Sequence, residues 1–142
     1  MVAQDCARAY RTNSVLTASP GQLVLMMYDG ALRALAQARE AFARPADDIR
    51  RVEAINQQLL KAQNIIGELQ GTLNFEAGDG QFAREMHRLY DYYNRRLIQA
   101  NMRKEEAPVI EVERLLGEVR NAWAEMLRSH DPAHTPGVRS VA

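Results

Sequence analysis

The chain carries one cysteine, Cys6, so it cannot close an internal disulfide. Standing in a polar N-terminal stretch, that thiol reads as an ordinary side chain and not as a nucleophile. There is no excess of charge of either sign: 18 Lys and Arg face 18 Asp and Glu. The basic residues come as scattered pairs such as Arg50-Arg51 and Arg95-Arg96, which argues against nucleic acid as a partner. No apolar run approaches the ~20 residues that span a bilayer, and the opening MVAQDCARAY lacks the apolar core of a signal peptide. The expectation is a soluble protein of the reducing cytoplasm, without membrane insertion.

Catalytic signatures are missing too. The chain has no GxGxxG, no Walker-type loop and no HExxH, and no serine sits in a context that suggests activation by a base. A di-iron bundle needs Glu-x-x-His pairs, but His87 has Arg84 three residues before it, and His130 and His134 stand in a proline-containing tail. The reading is therefore a binding module, not an enzyme, with no metal and no cofactor.

What the sequence does contain is helical periodicity. At 142 residues it is long enough for one domain with a real core. Ser19 can cap a helix that takes Pro20 at its first position, with Gln22 completing a capping box, and Arg44-Pro45 should end that helix just after Phe42. Asp47 or Asp48 is placed to cap a second, whose inward line is Val52, Ile55, Leu59, Ala62, Ile66, Leu69 and Leu73. The Gly71–Gly80 stretch is the longest internal loop, and Asp79 is placed to cap the helix after it. Phe82, Met86, Leu89, Tyr93, Leu97 and Ala100 define this third helix, ending near Asn101–Lys104. After it, Pro108 opens a fourth along Val109, Val112, Leu116, Val119, Trp123 and Met126. Four helices of about 30 to 37 Å joined by short turns predict an all-α, antiparallel up-down four-helix bundle. Residues 20–129 would form it, with 1–19 as an N-terminal segment that has at most a helical turn, and 130–142 as a disordered tail.

One stretch exceeds what a bundle needs. The six residues Leu23 to Tyr28 are all apolar and run right round the helix. With Tyr28, Ala31, Leu35 and Phe42 inward, Leu23, Met26 and Gly30 point the other way. Burial under another part of the chain is the ordinary outcome for such residues. An open patch awaiting a partner is the alternative. Ile98, Met102 and Ile110 also face away from their inward lines, and flexible methionines suit a groove that takes a partner helix.

Several blocks in order then resemble one family. They are Ala9-Tyr10 through Val15, TASPGQLVLMMYDGAL from Thr17, KAQNIIGEL from Lys61, LYDYYNRRLIQAN from Leu89, and Val112 to Trp123 with its LLGEVRNAW. Together they are similar to the flagellar secretion chaperones of the FliS type. Met27 stands where leucine is common, Glu85-Met86 where Asn-Leu is frequent and Tyr93 where methionine is frequent. The resemblance implies a cytoplasmic chaperone that holds the disordered C-terminal segment of flagellin, delays polymerisation and, once loaded, engages the export gate protein FlhA. It further implies an N-terminal segment that covers part of the hydrophobic surface when flagellin is absent.

On this reading the partner-binding residues are Tyr10, Leu16, Leu23, Met26, Met27, Ile98, Met102 and Ile110. A purely structural protein that self-associates through the same apolar belt is the competing class, and a weak homodimer is compatible with both. With no nucleotide site in the sequence, client release is expected to come from competition or hand-over, not from hydrolysis.

Overall fold

The computed structural model describes residues 19–130. The expectations for Tyr10, Val15 and Leu16, and for the tail from 131 on, lie outside the described residues, whereas His130 still belongs to the last helix. Within them stand four helices and no strand: α1 (Pro20–Phe42), α2 (Arg51–Gly71), α3 (Gln81–Arg103) and α4 (Ala107–His130). Each packs on the next, and α4 returns to α1. The run of inter-helix hydrogen bonds is antiparallel: Asn56 of α2 meets Asn101 of α3, Gln63 meets Asn94, and Gln70 meets His87. The expected all-α bundle is thus present.

Local chemistry sets the helix ends. The Ser19 side chain accepts from the Gln22 amide at 3.1 Å, and Pro20 follows it where its missing N–H costs nothing. At the far end of α1, Arg51 donates to the Phe42 carbonyl and lies over the Phe42 ring. Asp48 does not cap α2 directly. Arg50 occupies that position, and Asp48 instead accepts the Arg50 amide at 2.9 Å, shaping the turn before the helix. Asp79 likewise sits one residue early, accepting from the Gln81 amide at 2.9 Å while Gly80 turns with φ 76. Helix α3 ends on Lys104 in the left-handed region at φ 52, and the Glu105 amide reaches back to the Ala100 carbonyl.

The core is built from Tyr28, Leu35 and four alanines of α1, Ile55, Leu59, Ile66 and Leu69 of α2, Tyr90, Tyr93 and Leu97 of α3, and Val109, Val112 and Leu116 of α4. Ala31, Ala34, Ala38 and Ala41 present little side chain, which lets α1 and α2 pack more closely than the other pairs. Four residues expected inside are exposed: Val52, Phe82, Leu89 and Met126. Val52 and Phe82 lie in first turns and Met126 near the end of α4, where neighbouring helices no longer cover them. Leu89 fails for another reason. The true inward line of α3 is Ala83, Met86, Tyr90, Tyr93, Leu97 and Ala100, so Ala83 and Tyr90 take the places assigned to Phe82 and Leu89. Trp123 is only partly buried, with its ring edge-on to Tyr28 at 6.4 Å.

Candidate functional site: an apolar cavity at one end of the bundle

Antiparallel threading gathers the start of α1, the end of α2, the start of α3 and the end of α4 at one end of the molecule. There the helices frame a half-open cavity of about 490 Å3. Its walls are Pro20, Leu23, Val24 and Met27 from α1, Leu73 and Ala77 from the turn, and Phe82, Ala83 and Met86 from α3. Tyr28, Tyr90 and Trp123 also line it. This is far more space than the packing voids of a native core and is the size of a ligand pocket.

Most polar atoms around it already have partners. The hydroxyls of Tyr28 and Tyr90 bond to each other, the Trp123 indole donates to the Gly21 carbonyl at 2.8 Å, and the Thr72 hydroxyl donates to the Leu69 carbonyl at 2.7 Å. Asn74 accepts the Glu76 amide at 3.0 Å. What the cavity offers an occupant is mainly carbon surface.

Burial pushes the Tyr28 phenol above its ordinary range, and it pushes Tyr90 up further, with the hydrogen bond to Tyr28 adding to the effect. Tyr93 is raised by burial to about 12. All three are uncharged at physiological pH. Gly21 matters here because a Cβ would sit 2.5 Å from the Leu127 side chain, so the bare backbone lets the first turn of α1 close against α4.

A second, shallower groove of about 350 Å3 follows the outside of α1 and α2, lined by Leu23, Met26, Met27, Gly30, Ile65 and Glu68. Leu23 and Met27 border both spaces, so groove and cavity adjoin. Three of the sequence-derived site residues, Leu23, Met26 and Met27, therefore come together here. Met27 is half-buried against the core, whereas Met26 is 40% exposed. Ile98, Met102 and Ile110 are exposed as expected, Met102 at 80%, but they lie around the α3–α4 connection at the opposite end. Phe82 and Met102 are twenty residues apart on one helix, which is roughly 30 Å.

Sequence reasoning missed Val24, Leu73, Ala77, Phe82 and Met86 as site residues. The available signal was that apolar side chains cluster at four helix termini that the up-down threading must bring together.

Ion pairs brace the bundle: Arg120 with Asp29 at 2.7 Å, Arg39 with Glu113 at 2.6 Å, and Arg96 with Glu111 at 2.6 Å. Glu111 also accepts the Tyr92 hydroxyl at 2.7 Å, and these two donors hold its carboxyl below the usual range. Among the described residues no group of three His, Cys, Asp or Glu is placed to hold a metal, and no helix is long and apolar enough to cross a membrane.

Comparison with known proteins places the chain. Residues 3–130 match the family described as "Flagellar protein FliS". A flagellar secretion chaperone FliS of Bacillus subtilis (strain 168) is 40% identical over 129 residues, covering 91% of each chain. That of Salmonella typhimurium (strain LT2) is 41% identical over 115 residues, 80% of this chain and 81% of its own. The flagellar secretion chaperone FliSB of Pseudomonas aeruginosa is 37% identical over 112 residues, 77% and 82% respectively.

Proposed function

Because the chain belongs to the FliS family of flagellar proteins, a family of chaperones and not of enzymes, we propose that its client is flagellin. In this reading it binds the disordered C-terminal segment of flagellin in the cytoplasm, prevents premature polymerisation and delivers the client to the export gate protein FlhA. The observation that carries the reading is the apolar cavity adjoining the Leu23–Met26–Met27 groove, with most of its polar atoms already bonded. A segment that folds on binding loses conformational entropy, and extensive apolar burial offsets that loss.

Length favours a disordered client. Contacts at both the cavity and the Ile98–Met102–Ile110 face need a segment that reaches roughly 30 Å, which is about twenty residues as helix or about nine extended. The N-terminal segment, with Tyr10 and Leu16, acts in this proposal as a tethered cover that the client displaces. Release follows from competition at the gate. Self-association through Met102 and its neighbours is the second reading, favoured by their exposure.

The test is a calorimetric titration of the purified protein with full-length monomeric flagellin and with flagellin lacking its C-terminal segment. Saturable one-to-one binding of the first and none of the second is expected. Equal binding of both would sink the proposal.

A further inference from the structure

Across the 72–80 turn from the cavity lies a different kind of surface. Leu73, Asn74 and Ala77 line the cavity, whereas Phe75 turns to the other side and borders a notch of about 220 Å3 with Arg84, His87 and Arg88. The Phe75 and His87 rings meet at 5.9 Å, and Phe75 remains about half exposed.

Arg84 is held in place, and neither it nor Arg88 is in an ion pair among the described residues. Arg84 donates to the Gln81 side chain at 3.1 Å. Glycine at 80 is required by its φ of 76 and by the Phe75 carbonyl, 2.6 Å from where a Cβ would stand, and a terminal nitrogen of Arg84 lies 2.8 Å from the same point. The two nearest acids in sequence are engaged elsewhere: Glu85 accepts from Gln81 at 2.8 Å, and Asp91 pairs with Arg95 at 3.2 Å. Two uncompensated guanidinium groups beside an exposed aromatic face suit a carboxylate with an apolar neighbour.

We propose that this notch receives an acidic side chain of the same client segment that fills the cavity, so that the chaperone selects a segment in which a carboxylate follows the apolar anchor around the turn. The proposal rests on the client-binding reading above. Phosphate of a nucleic acid is the weaker fit, since three basic side chains on a chain with no net charge make no track for a backbone.

The test compares wild type, the Arg84→Ala/Arg88→Ala double variant, and a control double variant, Arg95→Ala/Arg114→Ala. The control loses the same charge from surface pairs with Asp91 and Glu118. Circular dichroism establishes that all three are folded, and dissociation constants for full-length monomeric flagellin are measured at about 50 and about 500 mM salt. The notch variant should bind about 10-fold more weakly at low salt and within about 2-fold of wild type at high salt, because screening removes a rim charge effect. The control should stay within about 2-fold throughout.

Unchanged binding by the notch variant, or an equal loss in the control, overturns the notch. A labelled oligodeoxynucleotide that binds wild type but not the notch variant reassigns the notch to phosphate and overturns it as well. If wild type itself fails to bind flagellin, the client proposal falls first and the notch with it.

Discussion

The phenolic oxygens of Tyr28 and Tyr90 lie 2.5 Å apart inside the bundle, joining α1 to α3 across its diagonal. Helices α1 and α3 are not neighbours in the ring, so only long side chains can meet there. Each hydroxyl supplies the other's partner. That is how two phenols are buried to 2% exposure beneath a cavity without stranding a polar atom.

Removing both hydroxyls should therefore cost less than the two single removals added together. Tyr28→Phe or Tyr90→Phe alone leaves a buried hydroxyl unbonded, at about 1 to 3 kcal/mol, whereas the double Phe variant should lie closer to wild type than the sum of the two. Urea unfolding of the four proteins gives the coupling energy directly. Additive losses would mean that the two hydroxyls act independently.

The same pair sets an alkaline limit. Both phenols have folded-state values raised above 10.0, so the folded state keeps protons that the unfolded chain has lost. Their contribution to stability is complete below pH 10.0 and declines as the pH rises toward the raised values, with Tyr93 adding to the loss near 12. Helical ellipticity followed from pH 9 upward should fall in wild type. The double Phe variant should hold to higher pH.

Inside and outside on α1 are separated by a two-residue step. Met26→Glu places a charge on a 40% exposed groove position and should leave the fold intact while weakening flagellin binding at least tenfold. Tyr28→Glu buries a carboxylate against the core at a cost of several kcal/mol and should unfold the bundle. Thermal melts that find the two equally destabilising would contradict this division of the helix.

Lys104 tests the end of α3. Its left-handed φ of 52 is offset by Nζ donating to the Asn101 carbonyl at 2.6 Å. Lys104→Gly should gain up to about 1 kcal/mol from relieved backbone strain, less what those bonds contribute. Lys104→Val should lose about 1 to 2 kcal/mol, because a β-branched residue is poorly tolerated there. Thermal denaturation ranks the three.

Deleting residues 1–12 removes Tyr10 while leaving the Ser19 cap. If the N-terminal segment is a tethered cover, its effective concentration, on the order of millimolar, makes it a real competitor despite weak contacts. The truncated protein should bind flagellin more tightly and self-associate more readily, as read by titration and gel filtration. Weaker binding with an intact fold would instead make the segment part of the client site.

The bounds of the helices were legible from the chain alone because their causes are local. Ser19-Pro20 marks the start of α1, Arg44-Pro45 closes it, and steps of three and four identify the faces of α2 and α4 over most of their length. The outward placement of Met26, Ile98, Met102 and Ile110 was legible for the same reason. Tertiary structure decided what depends on a partner distant in sequence. The hydroxyl of Tyr90 meets that of Tyr28, 62 residues away, and periodicity assigns no partner to a phenol. The cavity came from four helix termini that only the packed bundle brings together. The same packing parted Met26 from Met102, since two outward residues on different helices share a face only where the threading sets them at one height.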